Sequence, residues 1–172
     1  MSVANPIPLP LYRGVNKYGR VAIPKFWSGG NNTSKTRLAG RLYIGGDGEL
    51  HGSAQLPETL DNSATVTLRA VLSLPAAGAG GQKVRLEFSY RALDHGASEG
   101  GDFASWQESV AQSVDVAAWS SKALQRVAFS LTQGNFSAND WIEYVLRRYP
   151  AHADDNYENS VDVHGIHLLA SY

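Results

Sequence analysis

Lys83-Val84-Arg85-Leu86-Glu87-Phe88-Ser89-Tyr90-Arg91-Ala92-Leu93 alternates apolar and polar side chains without a break. Period two is the mark of a half-buried strand, because successive side chains point to opposite faces. Val84, Leu86, Phe88, Tyr90 and Ala92 then face inward, and Arg85, Glu87, Ser89 and Arg91 face outward. Ala64–Leu74 repeats the pattern, with Val66, Leu68, Ala70, Leu72 and Leu74 on one face. Working outward, Arg41–Ile44, Glu49–Leu56, Ser105–Val116, Ala123–Leu131 and Val161–Tyr172 read as further short strands. Turn and loop stretches separate them: Gly45-Gly46-Asp47-Gly48, Ala76–Gly81 and the Gly-rich 94–102. Many short strands with no tandem repeat predict an all-β fold, an antiparallel jelly-roll-like β-sandwich over residues 41–172.

Asn139–Tyr149 supports two readings. Trp141, Ile142, Val145, Leu146 and Tyr149 form a helical stripe that Ser137 and Asp140 could cap. At period two, Ile142, Tyr144, Leu146 and Arg148 share one face instead.

Residues 1–40 predict an extended N-terminal arm. Pro6, Pro8 and Pro10 alternate with Ile7, Leu9 and Leu11, which enforces extension and forbids a helix. The net charge of −1 conceals an asymmetry. Residues 1–46 hold seven basic side chains (Arg13, Lys17, Arg20, Lys25, Lys35, Arg37 and Arg41) and no acidic one. The remainder holds eight basic and sixteen acidic residues. A basic arm on an acidic body suits a surface of opposite sign. Its anchors are expected to be Leu11, Tyr12, Arg13, Tyr18, Arg20, Phe26 and Trp27, since aromatic and Arg side chains dominate interfaces.

Composition excludes several classes. There is no cysteine, hence no disulfide framework, thiolate zinc site or cysteine nucleophile. No apolar run approaches the ~20 residues of a membrane span, and Met1–Pro6 has no signal-peptide pattern, so folding in a cytoplasm is expected. Gly29–Thr36 nearly matches a phosphate-binding loop but has Ser34 where the last Gly belongs, and no helix follows. His164 and His167, three apart on a strand, are expected on opposite faces, unable to chelate one ion. His152, Asp154 and Asp155 read as a solvated acidic loop. No nucleophile elbow is present, so no enzyme, cofactor or metal is expected, and nucleic-acid binding is not favoured. Of the tryptophans, Trp106 and Trp141 are expected in the core. Exposed aromatics would instead suit a carbohydrate-binding module.

The C-terminal third has a recognisable cadence. Ala138-Asn139-Asp140 precedes Trp141–Arg148, followed by Asp154-Asp155-Asn156-Tyr157, His164-Gly165-Ile166-His167-Leu168 and the terminal Tyr172. This resembles the closing segment of small β-sandwich virion proteins of tailed bacteriophages. Asn139 stands where their pattern has Gly, and Pro150 lies in the loop. The resemblance covers about residues 64–172 and implies that Asn139–Tyr149 is a strand. It also implies that Arg148 ends that strand in a structural bridge to Asp154 or Asp155. In function it implies a capsid cement or decoration protein of the virion, docked by its arm on the major capsid protein or neighbouring subunits, often as a homotrimer. The alternatives are a tail or head-vertex adaptor or fibre-attachment component, and a carbohydrate-binding module.

Overall fold

The computed structural model describes residues 5–9, 13–15, 40–42, 48–61, 65–93 and 107–170. Its strands are β1 (Asn5–Leu9), β2 (Arg13–Val15), β3 (Gly40–Leu42), β4 (Gly48–Gln55), β5 (Val66–Ser73), β6 (Lys83–Leu93), β7 (Glu108–Asp115), β8 (Gln125–Leu131), β9 (Trp141–Arg148) and β10 (Val161–Ala170). They form two antiparallel sheets facing each other. One runs β1-β10-β5-β8, with β3 also paired to β10; the other runs β2-β4-β9-β6-β7. Apart from the β6–β7 pair, each strand lies in the opposite sheet from the one before it. The antiparallel sandwich expected from the alternation is therefore present. No helix of the described residues is long and apolar enough to cross a membrane.

The inner faces carry the residues that the alternation assigned to them. Leu68, Ala70 and Leu72 of β5 and Leu86, Phe88 and Tyr90 of β6 are all buried. An aromatic cluster occupies the middle of the core. The Phe88 ring lies 6.0 Å from Tyr90, 6.3 Å from Phe129 and 5.9 Å from Tyr144, and Tyr90 stacks on Phe136 at 4.7 Å. The phenol of Tyr90 donates to Glu108, and burial together with that carboxylate pushes its pKa up.

Asn139–Tyr149 is not helical. β9 lies between β4 and β6, in register with both. The helical stripe loses because the period-two face of Ile142, Tyr144, Leu146 and Arg148 is buried against the opposite sheet. The turn before it needs a left-handed residue, and Asn139 supplies it at φ 68°. Asn tolerates that region better than most residues.

Two pieces of the expected arm are strands of the sandwich itself. β1 pairs with β10 along its whole length, and Leu9 is buried in the core. Pro6 and Pro8 have no N–H to donate, as suits a strand at the sheet edge. That blunts the edge against another strand. β2 pairs with β4 in the other sheet. At the far side the edges of β7 and β8 are stitched by side chains: Gln112 Nε2 donates to the Ala128 carbonyl at 2.9 Å, and Glu108 accepts from the Thr132 N–H at 3.0 Å.

Candidate functional site

Of the seven anchors expected on the arm, Leu11, Tyr12, Tyr18, Arg20, Phe26 and Trp27 lie outside the described residues. Arg13 falls in β2, opposite His51 in register. The described residues offer two surfaces, the outer face of each sheet.

On the β2-β4-β9-β6-β7 sheet the register sets outward side chains in rows across the strands. One row is Glu49, Arg147 and Glu87. The next is His51, Val145, Ser89 and Ser109. Beyond it come Ser53, Glu143 and Arg91, and then Gln55 and Trp141. Arg147 is the hub. It donates to Glu49 at 2.7 Å, to Glu87 at 3.4 Å and to Ser89 at 3.2 Å. Tyr149 donates to Glu87 at 2.9 Å, and Ser109 to Ser89 at 2.7 Å. Arg91 binds Glu143 through two nitrogens. Between the two charged rows the floor is closed: Val145 and Ser89 are 0% exposed. Trp141 stands at one end, 44% exposed.

Trp141 is a correction to its expected core position. Once Ile142, Tyr144, Leu146 and Arg148 turn inward, strand alternation places Trp141 outside with Glu143 and Arg147. The outward rows of β6 were legible from its alternation. Their β4 and β9 partners were not, because the strand pairing that brings Glu49, Arg147 and Glu87 together is not written in local sequence.

The electrostatics of this face are settled internally. Burial alone would push the Glu49 carboxyl up, but bonds from Arg147 and His51 hold it below the usual range. A depressed carboxylate contributes stability above its unfolded pKa and loses it as pH falls through the folded value. Thermal melts from pH 6 to pH 3 are therefore expected to show a shallower acid loss for Glu49→Gln than for the unsubstituted chain. Equal slopes would contradict the bridge. Burial, then the Glu87 charge, pushes the Tyr149 phenol up, so it remains a donor at neutral pH.

On the other sheet, Ser73 Oγ lies 2.8 Å from His164 Nε2, with Asp162 nearby. This Ser–His–carboxylate set lacks the orienting bond a nucleophilic triad needs. His164 Nδ1 is buried with no hydrogen-bond partner, and Ser73 is only 3% exposed. The expectation that His164 and His167 take opposite faces is also corrected. A register shift between Val163 and Gly165 makes His164 the extra residue of a bulge and turns it toward Ser73 on the outer side, where alternation places His167. Among the described residues no group of three or more His, Asp or Glu is placed to hold a metal.

The bridge expected at the end of β9 is present, and its partner is Asp155 rather than Asp154. Both side chains are 0% exposed, and two Arg148 nitrogens meet the carboxylate at 2.8 and 2.7 Å. Asp154 is exposed, beside His152. The fan of bonds around Arg148 is structural.

No protein-family model and no curated protein matches the chain. Among solved structures, the xylan-binding module CBM15 aligns over 99% of this chain and 97% of its own, with a TM-score of 0.50 and 9% identity. A Xylanase10C mutant from Cellvibrio japonicus in complex with xylopentaose aligns at TM-score 0.42 and 11% identity, over 100% of this chain and 28% of its own. An Arthrobacter globiformis isomalto-dextranase complexed with panose aligns at 0.38 and 14%, over 87% and 19%. What this chain shares with the xylan-binding module, at that identity, is the β-sandwich fold.

Proposed function

We propose that the protein is a non-enzymatic glycan-binding module that takes a polysaccharide on the outer face of the β2-β4-β9-β6-β7 sheet. The observation that carries this reading is Trp141, a large indole left open on a sheet face, flanked by Gln55 and the Arg91–Glu143 pair. Such an indole offers a flat apolar surface to a sugar ring, and fixed polar groups beside it meet the hydroxyls. The xylan-binding sandwich of the same fold supports it. Nothing in this role requires a bond to be made or broken. Affinity electrophoresis through gels containing soluble xylan, mixed-linkage β-glucan or mannan tests it. At least one should retard the protein, and Trp141→Ala should weaken that retardation tenfold or more, about 1.4 kcal/mol. Equal retardation of the variant would overturn the placement of the site.

A second reading keeps the chain in a virion, as a capsid-bound cement protein. It is favoured by the acid-free segment 1–46 and by the closing segment, where Asn139 takes the glycine conformation and Arg148 locks to Asp155. On this reading the anchors are Leu11, Tyr12, Arg13, Tyr18, Arg20, Phe26 and Trp27. Its signature is a copy number in purified particles in simple ratio to the major capsid protein.

A further inference from the structure

The two sheets differ in how they treat arginine. On the β2-β4-β9-β6-β7 face, Arg91 and Arg147 are spent on carboxylates. On the outer face of the β1-β10-β5-β8 sheet, Arg69 and Arg126 enter no ion pair and no hydrogen bond among the described residues. They are close together. Arg69 lies opposite Ala128 and Arg126 opposite Val71, so they are diagonal neighbours on adjacent strands, about 7–8 Å apart at the backbone. His167 lies opposite Arg69 on the third strand, near enough to feel its charge. Beside them Arg126, Ala128 and Ser130 are exposed, and the His167 ring lies against Gly165. This pair stands in a part of the chain where acidic residues outnumber basic ones two to one.

We propose that this second face binds an acidic polysaccharide, with Arg69 and Arg126 together gripping one carboxylate or sulfate group and His167 flanking it. Two adjacent guanidinium groups present planar donor forks that match such oxyanions. The small exposed side chains of Ala128 and Ser130 on β8 leave a ribbon-like chain room beside the pair. A single-stranded nucleic acid is disfavoured because none of the described outward positions of β5, β8 and β10 is Phe, Tyr or Trp to stack a base. The site is independent of the glycan face on the opposite sheet.

The test is affinity electrophoresis of the full chain through gels containing dextran sulfate, polygalacturonate or neutral dextran. The full chain should be retarded by at least one acidic polymer and not by neutral dextran, and 0.5 M NaCl should abolish the effect. Arg69→Gln with Arg126→Gln should reduce retardation at least fivefold. Arg126→Gln alone, at an exposed position, should reduce it measurably even where the double variant folds poorly. Undiminished retardation of both variants would overturn the proposal and assign the binding to the basic residues before position 46. Competition by single-stranded DNA at equal strength would overturn the ligand class. No retardation by either acidic polymer would overturn the site outright.

Discussion

Arg148→Ala is expected to lower the unfolding free energy by about 3–5 kcal/mol, the cost of leaving a buried charge without its partner. The loss is large because Arg148 closes one end of the sandwich. Its Nε and one terminal nitrogen hold Asp155 at 2.8 and 2.7 Å, and the terminal nitrogens also donate to the carbonyls of Tyr157 and Asn159. The guanidinium sits 5.8 Å from the centre of the Tyr157 ring. Asp155 in turn accepts from the Arg85 N–H at 3.0 Å, which ties the loop after β9 to strand β6. Removing Arg148 takes the counter-charge from the buried Asp155 carboxylate and a donor from the buried Tyr157 carbonyl at once. For a chain of this size each kcal/mol moves the midpoint by about 2–4 °C, so a fall of roughly 6–20 °C is expected. Arg148→Met combined with Asp155→Leu should recover much of it, because a well-packed apolar pair avoids the desolvation that the bridge must offset. Urea unfolding of the two variants beside the unsubstituted chain checks this. A loss under about 1 kcal/mol for Arg148→Ala would mean that the bridge is not structural.

Phe88→Ala is expected to cost about 3–5 kcal/mol as well, by a different mechanism. Phe88 lies on the inner face of β6, a central strand, with β7 on one side and β9 on the other. Its ring touches aromatic partners in both sheets, Tyr90 and Tyr144 in its own and Phe129 in the opposite one. Truncation leaves a void bounded by three stiff rings that cannot close over it, so the cavity cost adds to the lost burial. Phe88→Leu keeps most of the volume and should cost less than about 1.5 kcal/mol. Equal losses for the two variants, measured with an unchanged denaturant slope, would contradict a cavity origin.

The period-two segments of β5 and β6 show how much of this fold is local. Leu68, Ala70, Leu72, Leu86, Phe88 and Tyr90 are buried as their spacing requires, whatever their partners. β9 shows where local reading stops. The spacing of its apolar residues leans toward a helix, and burial of Ile142, Tyr144 and Leu146 across the core overrides it. Strand pairing was beyond reach for the same reason. The prolines of β1 announced extension, but not that the extended segment would lie along β10 of its own chain. The candidate glycan face was hidden by two such facts together. Glu49 and Arg147 are 98 positions apart, joined only by the β4–β9 pairing. Trp141 was assigned inward because bulky aromatics usually are, whereas its neighbours fix its direction. His164 illustrates the remaining kind of miss, since one extra residue in a strand reverses the face that simple counting assigns.

Chemical-shift mapping tests the central claim most directly. Xylohexaose, cellohexaose and mannohexaose would be titrated in turn into the isotope-labelled full chain, following backbone amides and the four tryptophan indoles. The account predicts saturable shifts for at least one sugar, concentrated on the Trp141 indole, Gln55, Glu143 and Arg91. Shifts confined to the β10-β5-β8 face, or no saturable shift with any of the three, would contradict it.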